Sequence, residues 1–347
     1  MSPDTPTEAD HRVVAITGGR FVPSRRFRVK ALVPYLQTHG IHLDELCPRL
    51  SSYPPSTKIA RPVWFISALV ERLTYVLRAN GYDAIILQRE LISTLATIEG
   101  LLPGPRILDV DDAIFLHRDG RAARKIASGC LLVVCGNEYL AESFSQWTER
   151  IAIIPTGVDT QRLRPAESNG RDDELTIGWI GTVGNFQFLE QMKSALASVL
   201  KRHKKVIFRL ISSERPDFLD DLGDQVDFVQ WYPGIEESLI PTFSIGIMPL
   251  ADNGWSRGKC AFKMLQYMAA GIPVVTSKVG VNAQLLNQDE IGIGVLKSDQ
   301  WVEALEFLLS DPTSRHRMGA NGRALAVAEY SLPKIAALWK QQFDRVL

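Results

Sequence analysis

Short apolar runs separated by longer stretches of helical periodicity recur along almost the whole chain, and few folds accommodate that pattern. Val13-Val14-Ala15-Ile16, Ala84-Ile85-Ile86-Leu87, Arg106-Ile107-Leu108, Leu131-Leu132-Val133-Val134 and Ile151-Ala152-Ile153-Ile154 are apolar at nearly every position. Strands of this kind are covered on both faces, as in a parallel sheet flanked by helices. The alternation restarts at Leu175-Thr176-Ile177-Gly178 and continues through Val206–Ile211, Val226–Val229, Ile245–Met248 and Pro273-Val274-Val275. Between the two series lie Pro155-Thr156-Gly157-Val158-Asp159, Gln161–Pro165 and the polar stretch 167–174, which have the composition of an interdomain linker. A chain of 347 residues is also longer than one doubly wound core needs. The expected fold class is α/β, with two Rossmann-like, doubly wound domains in series. The expected boundaries are a disordered tail over 1–12, a first domain over 13–163 and a second over 164–330. A C-terminal helix over 331–347 is expected to pack back on the first domain.

The helical pattern is specific in places. Val29, Leu32, Val33 and Leu36 share one face, with Pro34 expected to kink or break the helix. After Pro62, Phe65, Leu69, Leu73 and Val76 fall on one side of a second helix that stops near Asn80-Gly81. Segments 301–309, 315–329 and the stretch from Pro333 onward, with Ile335, Leu338 and Phe343 apolar, read as helices.

Charge and composition exclude several classes. The 39 basic and 39 acidic residues cancel, so the chain is not a uniformly basic nucleic-acid binder. Cys47, Cys130, Cys135 and Cys260 form no CxxC pair and have no His at ligand spacing, which argues against a zinc site or a disulfide framework. A polar start without an apolar core, and no run of about 18 apolar residues, predict a cytoplasmic protein that meets a membrane only peripherally, at its inner face.

In doubly wound sheets ligands bind beyond the carboxyl ends of the strands, so residues following strands carry the functional information. The segment Trp255–Val275 is the richest. A polar, glycine-containing loop leads into a helix near Ala261, and Arg257, Lys259 and Lys263 gather there. A helix start already favours anions, and three added cations suit a bound diphosphate; the other reading is solvated surface charge. Gly178-Trp179-Ile180-Gly181-Thr182-Val183-Gly184-Asn185 also follows a strand, and its glycines either admit a pyrophosphate or merely form a tight turn. Near the start, Gly18, Gly19 and Arg20 follow the first strand, and Arg25, Arg26, Arg28 and Lys30 extend a basic cluster. That cluster reads either as a contact for a phosphorylated acceptor or anionic lipid, or as a solvated helix face. Arg89, in Gln88-Arg89-Glu90, either lines the site or makes a structural ion pair. Asp109-Val110-Asp111-Asp112 is a DxD pattern. Metal binding, orientation or deprotonation of an acceptor hydroxyl, and helix capping by Asp111 or Asp112 are its three readings.

Tyr267-Met268-Ala269-Ala270-Gly271-Ile272-Pro273-Val274-Val275 closely resembles the MA-x-G-x-P-V-V signature of the retaining, GT-B-fold glycosyltransferases of family 4, the group 1 transferases. The resemblance spans about residues 13–345, strongest at 109–160 and 244–282, and includes Gly136-Asn137-Glu138-Tyr139-Leu140 and 155–159 as hinge-flanking segments. It implies two domains facing across a cleft, the second binding a nucleoside diphosphate sugar of UDP or GDP type and the first binding the acceptor. It further implies transfer of the sugar to an acceptor hydroxyl with retention, and no obligatory metal or cofactor. The acceptor would be a glycan, a lipid-linked molecule or a small molecule. Gly181, Thr182, Gly184, Asn185, Arg257, Lys259, Lys263, Gln266, Gly280 and Val281 fall at donor positions, and Gly18, Gly19, Arg20, Arg25 and Arg89 at acceptor or phosphate-loop positions. Lys263 with Asp111 or Asp112 would carry catalysis. Two departures matter. The family's paired glutamates fall on Gly258 and Gln266, and its Arg and Lys in the glycine loop fall roughly on Thr182 and Asn185. Gly258 and Gln266 keep open a non-catalytic nucleotide-sugar scaffold, and an epimerase on the same fold is a third reading. Neither the base nor the oligomeric state is readable from the residues.

Overall fold

The computed structural model describes residues 10–20, 22–166 and 175–347. Most of the tail expected over 1–12, and the polar stretch 167–174, lie outside the described residues. The chain divides into two units. One comprises the residues up to Gly157, Gly258–Cys260 and Leu332–Leu347; the other comprises Val158–Arg257 and Ala261–Ser331.

The first unit holds a six-stranded, all-parallel sheet: β1 (His11–Ile16), β2 (Ile41–Leu46), β3 (Ala84–Gln88), β4 (Arg106–Val110), β5 (Leu132–Cys135) and β6 (Ile151–Ile153), in the order β2-β1-β3-β4-β5-β6. The central strands are buried along their length, as their uninterrupted apolar sequence requires. β2 escapes the sequence pattern because it is an edge strand that alternates, with His42 and Asp44 exposed. One buried cluster joins Val13, Ala15, Ile86, Ile107 and Val134 to Leu332, Ile335, Ala336, Trp339 and Phe343 of the C-terminal helix Leu332–Val346.

Two helices differ from expectation. From Arg25 to Gln37 the chain makes a π turn, a 3₁₀ turn and then a short α-helix, with Pro34 in the first turn of that α-helix. Proline is tolerated there because its missing N–H has no helical partner to lose. The helix Arg61–Arg78 buries Ala68, Arg72 and Tyr75, whereas Leu73 is 43% exposed. Its inward face is therefore rotated away from the one read in the sequence. Arg72 is accommodated because its guanidinium donates to the Leu50 carbonyl (2.6 Å) and to Glu71 (2.9 Å).

The second unit holds another six-stranded parallel sheet: β7 (Leu175–Ile180), β8 (Val206–Ser212), β9 (Val226–Gln230), β10 (Ile245–Met248), β11 (Val274–Ser277) and β12 (Gly292–Val295), ordered β12-β11-β10-β7-β8-β9. Glycine-rich β12 lies at an edge and carries little strand signal in its sequence. Buried clusters cover the sheet, one including Ile177, Phe208, Leu305 and Leu308, the other Ile180, Met264, Tyr267 and Leu285. Each unit is thus a doubly wound, Rossmann-like sheet with its own core.

Candidate functional site

In the second sheet the winding reverses between β7 and β10, so the crevice beyond their carboxyl ends is where a ligand is expected. β7 runs out into Gly181 and Thr182, followed by a single 3₁₀ turn, Val183–Asn185. The Asn185 amide donates to Thr182 Oγ1 at 2.9 Å, tying the loop to itself. After β10, Asn253 Oδ1 accepts from the Ser256 N–H at 2.9 Å at the start of the short helix Gly254–Arg257. The helix Phe262–Ala269 begins after Ala261, whose φ of 52° is left-handed and strained for a residue with a Cβ.

Lys263 lies in the first turn of that helix, half-buried. Its stem crosses Gly181 so closely that a Cβ there would lie 2.6 Å from Lys263 Cε. Its ammonium stands 5.5 Å from the Trp179 ring centroid, a cation–π distance. A second helix, Gly280–Gln288, begins close by: a Cβ on Gly280 (φ 52°) would lie 3.0 Å from the Arg257 carbonyl oxygen. Two helix starts, a glycine loop and a lysine are therefore assembled around one end of one sheet. Backbone N–H groups at helix starts and a nearby ammonium are what an anionic diphosphate requires. Gln266 follows one turn into the helix and is 6% exposed, and Val281 is half-buried beside Gly280. Gly184 has open space where a side chain would project.

Two of the three cations read as one cluster are placed otherwise. Arg257 forks onto exposed Asp252, at 2.7 and 3.1 Å. Lys259 belongs to the first unit, within Gly258–Cys260.

In the first sheet the winding reverses between β1 and β3. Gly18, Gly19 and Arg20 follow β1, and Arg89 follows β3 with a left-handed φ of 64°. Gln88 pairs in register with Asp109 of β4, and the Arg89 N–H continues the ladder to the Asp109 carbonyl at 3.1 Å. This register carries Arg89 to the two carboxylates beyond β4. Asp111 Oδ1 accepts from Arg89 Nε (2.8 Å) and Nη2 (2.6 Å), and Asp112 accepts from the same Nη2. Two segments that read separately in the sequence form one ion-paired group. The capping reading of Asp111 and Asp112 does not hold: the 3₁₀ turn Ile114–Leu116 has no side-chain cap. Burial raises the Asp112 pKa; Arg89 opposes this and Asp111 reinforces it.

Asp109, by contrast, faces inward. It forms a fully buried ion pair with Arg28, whose Nη2 lies 2.6 Å from Asp109 Oδ1. Arg28 Nη1 also donates to Ile154 O and Thr156 Oγ1, both at 3.1 Å. Arg25 forks onto Glu45, with Nη2 to Oε2 at 2.8 Å. The cluster is thus not an open patch of cations at Arg25 and Arg28, and of its members Arg20 and Lys30 are exposed. Nothing local marks the Arg28–Asp109 pair, since 81 positions separate its members.

Gly258, at the first glutamate position of the resemblance, has no room for any side chain. A Cβ there would lie 2.7 Å from the Ala113 Cβ and 2.9 Å from the Ala113 backbone nitrogen. Neighbouring contacts fix this approach: Asn137 Nδ2 donates to the carbonyls of Gly258 (3.1 Å) and Lys259 (3.2 Å), and the Cys260 thiol donates to the Asp111 carbonyl at 3.3 Å. Gly258→Glu is therefore expected to lower stability by about 1–3 kcal/mol through backbone displacement, instead of restoring a lost carboxylate. A urea unfolding midpoint equal to wild type would contradict this packing.

Two doubly wound sheets, ordered 2-1-3-4-5-6 and 6-5-4-1-2-3 within their own units, define a GT-B fold of two Rossmann-like domains. A crystal structure of HepE from Anabaena, in complex with UDP and glucose, matches 96% of this chain and 100% of that one with a TM-score of 0.72 at 15% identity. The glycosyltransferase WaaG, involved in lipopolysaccharide biosynthesis, matches 94% and 98% with a TM-score of 0.68 at 16% identity. Residues 174–311 match the family model of the glycosyl transferases group 1. The MMP alpha-(1->4)-mannosyltransferase of Mycolicibacterium hassiacum is 24% identical over 245 residues, 67% of this chain and 57% of that protein. The chain spans between about half and three fifths of the curated relatives it matches.

Proposed function

We propose that this protein transfers a sugar from a nucleoside diphosphate sugar to an acceptor hydroxyl, with retention at the anomeric carbon and no metal requirement. The observation that carries the reading is the assembly at the β7/β10 switch point: Lys263, the Gly181 loop and two helix starts, all within a group 1 domain. The second unit would bind the donor and the first the acceptor. The acceptor oxygen bonds to the anomeric carbon as the bond from that carbon to the β-phosphate oxygen breaks, and the acceptor's proton passes to the departing diphosphate. Negative charge builds on the departing diphosphate, and Lys263 with the helix-start N–H groups would stabilise it, the largest electrostatic task of the reaction. Asp111 and Asp112, held by Arg89, would orient the acceptor hydroxyl. The relatives' names as glycosyltransferases, and UDP bound in a neighbour of the same fold, support this reading.

The test is nucleoside diphosphate release from UDP- and GDP-sugars, with and without acceptor alcohols and EDTA. Acceptor-dependent release that survives EDTA supports the proposal. Sugar isomerisation without acceptor would indicate an epimerase, and binding without release a scaffold. If Asp112 acts as a carboxylate, its raised pKa moves the acid limb of the rate profile above that of an ordinary aspartate. Activity should fall as pH drops through that raised value, and Asp112→Asn should abolish the limb. A limb unchanged in the variant would remove Asp112 from the reaction.

A further inference from the structure

The helix Arg61–Arg78 carries a second apolar face that its own unit does not cover. Val63 (70% exposed), Ile66 (63%), Val70 (58%), Leu73 and Leu77 (80%) follow one another at intervals of 3, 4, 3 and 4 residues, and Ile59 (90%) precedes them in the 3₁₀ turn Lys58–Ala60. At 3.6 residues per turn the five on the helix form one stripe, roughly 80° wide and about 21 Å long. Isolated exposed apolar residues need no explanation, but five in one line do. The charges beside the stripe are of one sign. Lys58 and Arg61 stand exposed at its start and Arg78 at its end, and none pairs with a carboxylate among the described residues. Glu71, the acidic side chain of the helix, is turned away: it accepts from the Arg49 and Leu50 N–H groups (2.7 and 3.2 Å) and from Arg72. Exposed Ser67 and Thr74 complete the rim.

We propose that this stripe is a docking surface for a membrane bearing anionic lipid headgroups, on which the helix lies parallel to the surface. The charge pattern selects this occupant. A second copy packed stripe to stripe would set Lys58, Arg61 and Arg78 against one another in either orientation, whereas anionic headgroups complement all three. No helix among the described residues is long and apolar enough to cross a membrane, so the contact is with the surface alone. This replaces the Arg20–Lys30 cluster as the membrane-facing element, and it stands independently of the proposed transfer reaction.

The test is co-sedimentation with vesicles of phosphatidylcholine alone or mixed with phosphatidylglycerol, using wild type, Ile66→Gln/Val70→Gln and Lys58→Glu/Arg61→Glu. The altered positions are exposed, so near wild-type stability is expected and is checked by melting temperature. Wild type should sediment with the phosphatidylglycerol vesicles and be released by salt. Each double variant should bind about tenfold or more weakly. Absence of wild-type binding at low salt would overturn the proposal, as would equal binding by the apolar double variant. A wild-type dimer in sedimentation velocity that the Ile66→Gln/Val70→Gln change abolishes, without vesicle binding, would instead assign the stripe to a second copy.

Discussion

Arg28→Met is expected to destabilise the first unit by about 3–5 kcal/mol, because it strands the buried Asp109 carboxylate. In the native chain the Arg28 guanidinium forks onto Asp109 and reaches Ile154 O and Thr156 Oγ1, tying the helical turns after β1 to β4 and to the chain leaving β6. Removing it leaves a charge, a carbonyl and a hydroxyl without their donors. The deficit should depend on pH in a definite direction. Burial already raises the Asp109 pKa above that of an exposed aspartate, with Arg28 opposing that rise. Without Arg28 the rise is larger. A raised carboxyl pKa means that the ionised form is disfavoured in the native state, so the destabilisation is fully expressed above that pKa and shrinks as pH falls through it. Urea unfolding of wild type and variant at pH 7 and near pH 4.5 should show the gap narrowing at the lower pH. The double change Arg28→Met/Asp109→Leu should recover most of the loss, since a buried ion pair exchanged for apolar groups is often neutral or better. A gap that does not vary with pH would show that Asp109 is not the source.

Lys263→Ala is expected to lower turnover by about ten- to a hundredfold, the usual loss for one charge-assisted contact to a departing anion. The expectation rests on where the ammonium is held: in the first turn of the helix Phe262–Ala269, over the Trp179 ring and across Gly181. The same geometry makes Gly181→Ala a second probe. Its new Cβ would lie 2.6 Å from both Lys263 Cε and the Trp179 ring, so the lysine stem must move. If charge position governs the rate, both variants should lose kcat, with folding checked by melting temperature. A Lys263→Ala enzyme with unchanged turnover would refute the assignment.

The sequence disclosed the architecture where physics writes it locally. Central parallel strands, covered on both faces, read as uninterrupted apolar runs, and Ile245–Met248 was legible to the residue. The edge strands β2 and β12 were not legible. One alternates because it is half-covered, and the other is glycine-rich. Leu73 was assigned to the wrong side of its helix, since Arg72 can be buried once its donors are satisfied and a periodicity of apolar residues does not register that. In the second unit the segment Trp255–Val275 and the Gly181 loop each stood out as a candidate, because glycines and lysines near helix starts have local meaning. What joins them, Lys263 crossing Gly181 onto Trp179, is a tertiary fact. The Arg89–Asp111–Asp112 group was likewise present only as two unrelated segments, brought together by the β3–β4 register. Arg25 and Arg28 looked like surface cations because charge alone does not reveal a carboxylate far along the chain.

Everything proposed for the second unit depends on a nucleoside diphosphate binding at the β7/β10 switch point. The most direct measurement is the melting temperature of wild type and Lys263→Ala with UDP, GDP, ADP and CMP, with and without magnesium. A ligand at about 100 times its dissociation constant adds about 2.7 kcal/mol, a clear upward shift. UDP or GDP is expected to raise the wild-type melting temperature without magnesium, and to do so far less in the variant. No shift with any nucleotide, or an equal shift in the variant, would contradict it.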